Sequence, residues 1–445
     1  MRGPAVSVVG LGYVGLSTAV CFAHRGLTVY GVEVDPNKLS AISKGEVPFK
    51  EEGMDRMLRS VLKAGRLRVS GGYDDAVAKS AITYITVGTP SRPDGSIDLA
   101  YVRACAETLG RHLAGKAGYH TVVVKSTAVP GTTEGPVREA LERGSGKKVG
   151  QGFGLSANPE FLREGSAVKD TFHPDAVVIG SLDGKSRSAL LSLYKRFYGR
   201  LPPVVLTTPS NAELIKYSVN TFRATQLSFL NTLANLCQSV PGMDVEEVAR
   251  GFAMIAKPDP RYLKAGIGYG GSCLPKDLRA LIAESRRLGV DPQLLESSLR
   301  VNEAQPERAI DLAVKATGPL RGRRVAVLGL AFKANTDDIR ESSAITLVKK
   351  LVAEGADVTA YDPAAMPNSR AVLEGAVRFA KGAKECLKGA EVCILATGWP
   401  EFAKLRAADF LAMARPFVVD GRGALDAEKL GRGGVEVLRV GVGKA

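Results

Sequence analysis

The sequence predicts an α/β protein in which two doubly wound units are joined by one long helix. Three observations carry that expectation. Short apolar runs that close on glycine or polar turns alternate with helically periodic stretches up to about residue 208, and the same alternation returns after Pro306. Between them, Asn211 to Val240 is apolar-periodic and holds neither Gly nor Pro, the mark of a single helix of unusual length. A chain of 445 residues also exceeds what one hydrophobic core usually serves. The expected division is 1–208, a dinucleotide-binding unit; 209–305, a central helical region; and 306–445, a second nucleotide-binding unit.

Composition removes several classes of function. A formal net charge of +14 invites a nucleic-acid reading, but Lys and Arg are spread along the chain without basic tails or blocks, which argues against it. The excess positive charge suits the steering of an anionic substrate instead. Six cysteines lie without C-x-x-C spacing, so neither a disulfide framework nor a metal site is expected, and a reducing cytoplasm fits. Arg2 precedes a mostly apolar run from Ala5 to Ala23, yet Gly10, Gly12 and Gly15 interrupt it, and no later segment has the length of a membrane span.

Taken in order, Val6 to Gly10 reads as a strand, Gly10-Leu11-Gly12-Tyr13-Val14-Gly15 as a turn, and the run to about Arg25 as a helix. A second strand, Thr28 to Val34, closes on Asp35, twenty residues after Gly15. That is the dinucleotide fingerprint in its required setting: glycines admit the pyrophosphate to a helix N-terminus and the acid accepts the ribose hydroxyls. Glu33 is the competing acid, set aside because it sits before the expected strand end. No arginine follows Asp35 directly, which favours NAD over NADP, with Lys38 keeping the question open.

Strands over Ile82 to Val87, Thr121 to Val124 and Phe153 to Ala157 run into Gly88-Thr89-Pro90, Lys125-Ser126-Thr127 and Asn158-Pro159-Glu160. Their carboxyl ends should line the ligand crevice. Thr89 and Thr127 read either as turn residues or as site residues, and Glu160 and Glu164, a helical turn apart, as helix charge complements or as acid/base groups. On the long helix Lys216 and Asn220 share a face. In the second unit Arg324 to Leu328, Asp357 to Tyr361, Val392 to Ala396 and Phe417 to Asp420 read as strands and Ser342 to Gly355 as a helix, with Lys333 and Arg340 as candidate phosphate contacts.

The stretch from Ala265 to Asp277 delivers Cys273 from a glycine-rich loop onto a helix start, Pro275 suiting the first turn and Lys276 to Leu288 continuing it. A helix N-terminus favours thiolate over thiol, and Asp277 falls on the cysteine's face four residues on. Plain alcohol dehydrogenation does not need a thiol. A dinucleotide site combined with such a cysteine makes sense if an alcohol is oxidised to an aldehyde, captured as a thiohemiacetal, oxidised again to a thioester and released by water as an acid. A β-hydroxyacid dehydrogenase using Lys216 and Asn220, or a cofactor-binding scaffold without catalysis, are the competing readings.

Gly10-x-Gly12-x-x-Gly15, Asn158-Pro159-Glu160-Phe161-Leu162-Arg163-Glu164-Gly165, Lys216-x-x-x-Asn220, Gly270-Gly271-Ser272-Cys273-x-Pro275-Lys276-Asp277 and Gly329-x-Ala331-Phe332-Lys333 together resemble the UDP-glucose/GDP-mannose dehydrogenase family, in register over nearly the whole chain. The resemblance implies two Rossmann-like domains, a long helix at the core of a homodimer, NAD as cofactor, a nucleotide-sugar substrate and four-electron oxidation at its sixth carbon. By matched position it implies Cys273 as nucleophile, Asp277 as the water-handling acid, Lys216 and Asn220 as oxyanion stabilisers, Glu160 as an aid to thioester hydrolysis and Thr127 as a water-positioning residue.

The cofactor set it implies is Gly10, Gly12, Tyr13, Val14, Gly15, Asp35, Lys38, Thr89, Thr127, Glu164 and Lys276. The substrate set is Glu160, Phe161, Leu162, Lys216, Asn220, Lys257, Tyr262, Leu263, Lys264, Gly270, Phe332, Lys333 and Arg340. Lys257 stands where the UDP-glucose branch usually carries arginine, and Leu274 after the cysteine looks more like the GDP-mannose branch. The Glu164-Gly165 ending and Tyr262-Leu263-Lys264-Ala265-Gly266 favour the UDP-glucose branch, leaving GDP-mannose and UDP-N-acetylhexosamine as alternatives.

Overall fold

The computed structural model describes residues 5–443. They divide into two compact units, one ending at Val219 and the other beginning at Asn220. The division falls inside the helix Pro209–Ser239, which starts two residues before the expected Asn211 because Pro209 opens its first turn.

The first unit holds an eight-stranded sheet: β1 Val6–Val9, β2 Val29–Val32, β3 Leu67–Ser70, β4 Ile82–Ile85, β5 His120–Val124, β6 Phe153–Ala157, β7 Val177–Ser181 and β8 Val204–Thr207. The order is β3-β2-β1-β4-β5-β6-β7-β8, parallel throughout except where β6 meets β7. Chain order reverses direction between β1 and β4, which places a crevice at their carboxyl ends. Side chains alternate between two cores: Val6, Val8, Val29 and Tyr84 pack on one face, Val9, Tyr30, Val32 and Ile85 on the other. Burial on both faces is why these strands read as continuous apolar runs. β2 ends at Val32, two residues short of the expected Val34, with consequences for Glu33 described below.

The second unit repeats the plan with β9 Arg324–Leu328, β10 Asp357–Tyr361, β11 Arg378–Phe379, β12 Val392–Leu395, β13 Phe417–Asp420 and β14 Glu436–Arg439. Its order, β11-β10-β9-β12-β13-β14, is all parallel and equivalent to that of the first six strands. Pro306, expected to open this unit, lies inside the helix Gln293–Thr317. Proline removes one backbone donor, but neighbouring turns hold the helix together around it.

A polar ladder crosses the middle of the first sheet. Ser7 Oγ meets Thr83 Oγ1 at 2.6 Å, and Thr83 Oγ1 meets His120 Nε2 at 2.7 Å. Burial, then the Lys116 ammonium 3.0 Å from His120 Nδ1, push this imidazole down to about 3. His120 therefore stays neutral in the fold while an unfolded chain's imidazole charges near 6.5. Its contribution to stability is whole above pH 6.5 and drains away as the pH falls toward 3, because the unfolded state takes up the proton first. Urea midpoints recorded from pH 7.5 to 4 should fall more steeply for the wild type than for His120→Asn; parallel curves would contradict this.

Candidate active-site residues

In the first unit the glycine turn is built by exclusion. Gly10 has φ +89°, and a Cβ on Gly15 would lie 1.9 Å from Gly10 O and 2.6 Å from Thr86 Oγ1. Gly12, by contrast, faces open space, with nothing within 4 Å of where a Cβ would stand. The backbone is thus closed toward β4 and open toward the crevice, at the start of the helix Tyr13–His24 that carries Val14. This fits a dinucleotide, whose pyrophosphate needs close approach and a helix N-terminus. Thr89 Oγ1 donates to Thr127 O at 2.7 Å, so the turns after β4 and β5 meet.

Asp35 caps the helix Pro36–Ser43, accepting from Asn37 N at 2.9 Å and Lys38 N at 3.2 Å, with Lys38 Nζ 3.9 Å away. The carboxylate that reaches the glycine turn belongs to Glu33, which accepts from Leu11 N at 2.9 Å and from Asp35 N at 3.0 Å. Because β2 stops at Val32, Glu33 is the first residue past the strand and does not sit before its end as expected.

Asn158 to Gly165 is not helical, so Glu160 and Glu164 do not stack one turn apart as expected; Pro159 and the turn at Gly165, φ +81°, keep the stretch open. Glu160 is buried and accepts from Leu162 N at 2.5 Å and from Lys216 Nζ at 3.1 Å. Lys216 is equally buried and lies 5.4 Å from the centre of the Phe161 ring. Next to Glu164, Gly165 N donates to Tyr13 Oη and to Glu51 Oε2, each at 2.9 Å, and Tyr13 donates to Glu51 at 2.5 Å. Burial, then Glu51, hold the Tyr13 phenol protonated.

A residue that sequence reasoning passed over stands behind Glu160. Lys125, at the end of β5, is buried and donates to Asn158 Oδ1 at 3.1 Å. Glu213, on the same helix as Lys216, accepts from Gly131 N at 2.7 Å, Thr133 N at 2.8 Å and Thr133 Oγ1 at 2.6 Å, pinning the segment that follows Thr127. Burial pushes its carboxyl up to about 7.

In the second unit Cys273 is exposed and caps the helix Leu274–Arg287, with Pro275 in its first turn. Asp277 N donates to Cys273 O at 2.9 Å. The Asp277 carboxylate is buried and clasped from two sides, by Asn220 Nδ2 at 2.6 Å and Lys276 Nζ at 2.6 Å. The loop before the cysteine fits only glycine: a Cβ on Gly270 would lie 2.1 Å from Glu341 O, and Gly271, φ +88°, is covered by the Phe332 ring. Lys333 Nζ lies 5.4 Å from that ring's centre. The Arg340 guanidinium pairs with Asp338 at 2.5 Å, and Arg340 O accepts from Gly271 N.

Leu263 and the exposed Lys264 line a cavity of about 370 Å³ with Arg422 and Arg439. Arg422, a second residue missed from sequence, donates to Gly268 O at 2.7 Å and Ala396 O at 2.8 Å. Tyr262 lies under the Arg223 guanidinium at 5.0 Å, and Lys257 sits exposed at a helix end with φ 51°. The turn after β9 differs from the turn after β1 in its acid. Asp362, past β10, stands where Glu33 stands past β2, but it accepts from five donors: Leu330 N, Ala331 N, Trp399 Nε1, Ala364 N and Ala365 N. Its lone pairs are filled, leaving none for a ribose. Among the described residues no cluster of three or more His, Cys, Asp or Glu side chains could hold a metal ion, and no helix is long and apolar enough to cross a membrane.

Comparison with known proteins places this geometry among relatives. Residues 4–198 match the NAD binding domain of the UDP-glucose/GDP-mannose dehydrogenase family, residues 210–304 its central domain and residues 326–427 its UDP binding domain. The chain is 42% identical to a UDP-glucose 6-dehydrogenase of Haloferax volcanii, over 94% of its own length and 96% of the relative's. It is 38% identical to a GDP-mannose 6-dehydrogenase of Pseudomonas syringae pv. syringae, over 80% of each. The structure of a UDP-glucose dehydrogenase from the hyperthermophilic archaeon Pyrobaculum islandicum superposes with TM-score 0.90 at 40% identity, covering 99% of this chain and 97% of that one.

Proposed function

Because the chain belongs to the UDP-glucose/GDP-mannose dehydrogenase family, we propose that it is a UDP-glucose 6-dehydrogenase, forming UDP-glucuronate with two NAD per substrate. The observation that carries the chemistry is an exposed thiol at a helix start beside a locked, buried carboxylate. The nucleotide follows from the near full-length likeness to UDP-glucose 6-dehydrogenases, against 80% coverage of the GDP-mannose relative.

Gly10, Gly12, Tyr13, Gly15, Thr89, Thr127 and Glu164 hold NAD, with Asp35 accepting the ribose hydroxyls: the helix cap uses only its Oδ1, whereas both oxygens of the buried Glu33 are taken by Leu11 N and Asp35 N. When bound, NAD supplies the two-electron acceptor for each oxidation. The first unit's Lys216 steadies the oxygen of the substrate as it becomes anionic, and Glu160 aligns water for the closing hydrolysis. The second unit's Cys273 adds its sulfur to the aldehyde carbon to give a thiohemiacetal, which gives up a hydride from that carbon and the proton of its hydroxyl to become a thioester. Water then breaks the C–S bond, returning the thiol and releasing the carboxylate. Asp277, oriented by Asn220 and Lys276, handles protons beside the sulfur. Phe332, Lys333, Lys264 and Arg422 hold the nucleotide part of the substrate, and Lys257 and Arg340 lie in the same unit as further cations for its phosphates.

The stoichiometry tests this directly. Two NADH per UDP-glucose consumed, with little turnover of GDP-mannose, is the expected result. One NADH would remove the thioester route, and turnover of GDP-mannose alone would keep the chemistry and change the substrate, an outcome for which the Ser272-Cys273-Leu274-Pro275 run leaves room.

The enzyme works as a homodimer in the cytoplasm. Phe222, Phe229 and Leu236 stand seven residues apart on the long helix and are 67%, 47% and 56% exposed, an apolar stripe with heptad spacing that a second copy would cover. A light-scattering mass of one chain at micromolar concentration would rule the dimer out. Six cysteines scattered without framework spacing fit a reducing compartment.

A further inference from the structure

Glu160 and Lys216 form a buried ion pair, yet they are not the only charges there. Lys125 lies 9% exposed at the end of β5. Its ammonium donates to Asn158 twice, to the side-chain Oδ1 at 3.1 Å and to the backbone O at 3.4 Å. Asn158 is held from its other sides as well: its Nδ2 donates to Val178 O at 2.7 Å, its backbone N to Val124 O at 2.8 Å, and its Oδ1 also accepts from Tyr194 Oη. Tyr84 Oη in turn donates to Tyr194 Oη at 3.3 Å, and the Lys125 ammonium lies 5.8 Å from the centre of the Tyr84 ring. Every polar atom of Asn158 is therefore used, two residues before Glu160.

A lysine so buried must be given a task that outweighs its desolvation. A structural amide could be held by neutral donors alone, as Tyr194 already does. We propose that Lys125 is a positioning residue for the hydrolytic step: by clamping both oxygens of Asn158 it sets the direction in which the Asn158-Pro159-Glu160 turn presents the Glu160 carboxylate. This rests on Glu160 serving that step.

The groups facing Lys125 are Glu160 from the turn after β6, Lys216 from the long helix, Tyr84 from β4 and Tyr194 from the helix Gly184–Tyr198. Burial pushes the Lys125 ammonium down to about 8, Glu160 pulling it back up and Lys216 adding to the fall. Below pH 8 its bonds to Asn158 are charge-assisted; above, they weaken to those of a neutral amine.

The test uses the full-length enzyme with UDP-glucose and NAD, following the pre-steady-state NADH burst, steady-state turnover and the mass of the acyl-enzyme. In Lys125→Met both hydride transfers precede the defect, so a burst of two NADH per site should survive. Steady-state turnover should fall roughly 10- to 100-fold with both KM values within about twofold, and acyl-enzyme should accumulate. Asn158→Ala should give the same phenotype, and the double variant should be no worse than the single one, since both act through one contact. Additive losses, or equal slowing of burst and turnover, would reduce Lys125 to a packing role and overturn the inference.

Should Lys125→Met fail to fold, Lys125→Arg still decides. Wild-type hydrolysis should slow above about pH 8, and arginine, which keeps its charge, should remove that limb. An unmoved limb rejects the proposal. Glu160→Gln is measured alongside: if it leaves hydrolysis intact, the role of Glu160 fails. If it stalls hydrolysis while the Lys125 variants do not, only Lys125 is excluded.

Discussion

Cys273→Ser is expected to lower steady-state NADH formation from UDP-glucose by at least about 10³-fold, with NAD affinity unchanged. A serine hydroxyl at the same helix start ionises far less readily than a thiol, and an oxygen ester would not hand its acyl group to water as easily. The exchange is conservative, because Cys273 is exposed, its 3.5 Å contact with Ser272 Oγ is one a hydroxyl can also make, and its backbone O accepts from Asp277 N in the helix. Thermal stability should therefore stay within about 0.5 kcal/mol of wild type. Stopped-flow absorbance of NADH and a denaturation curve on the same preparation separate the two effects. Retained turnover at two NADH per substrate would transfer the covalent role away from this residue, and one NADH would leave a simple alcohol dehydrogenase centred on Lys216.

Lys216→Met should have the larger effect on stability. It removes the cation 3.1 Å from Glu160 and leaves a buried carboxylate with Leu162 N as its remaining close donor and Lys125 nearby. Uncompensated burial of this kind costs about 3–5 kcal/mol. Pairing it with Glu160→Gln should restore most of that loss without restoring activity, because the neutral amide no longer demands a counter-charge. Urea unfolding followed through a probe in the first unit checks both. Equal stability of Lys216→Met and wild type would mean that water reaches the pair and that its burial is incidental.

Much of this was legible in the sequence because it is written in glycine. Gly10, Gly15, Gly270 and Gly271 each stand where a Cβ would strike a neighbour, so the turns that receive cofactor and cysteine announce themselves as composition. Most central strands were equally plain, being apolar on both faces; β7, Val177–Ser181, is buried along its length and was not read. Edge strands were not: β3, β8, β11 and β14 close the two sheets, are two to four residues long and are only partly buried. What stayed hidden was side-chain direction. Whether Glu33 or Asp35 meets the glycine turn depends on a strand ending two residues early. Whether Glu160 and Glu164 stack depends on whether a helix follows Pro159. Lys125 looked like one more basic residue after a strand, and only burial behind Asn158 distinguishes it. The second unit's want of a dinucleotide fingerprint was visible, but its physical counterpart, an acid saturated by five donors, was not.

The six thiols differ in a way that has a practical consequence. Burial pushes Cys21, Cys105 and Cys386 up to about 12 and holds Cys237 and Cys393 above the ordinary range, whereas Cys273 is exposed at the start of its helix. A mild alkylating reagent added to the folded protein thus meets one reactive sulfur per chain. With Cys273 as the proposed nucleophile, labelled sulfur would count competent sites, and protection by substrate would report occupancy without a turnover assay. On the same proposed role, oxidative inactivation would be a single-hit event, reversible by thiol reductant as long as the sulfur goes no further than the sulfenic acid.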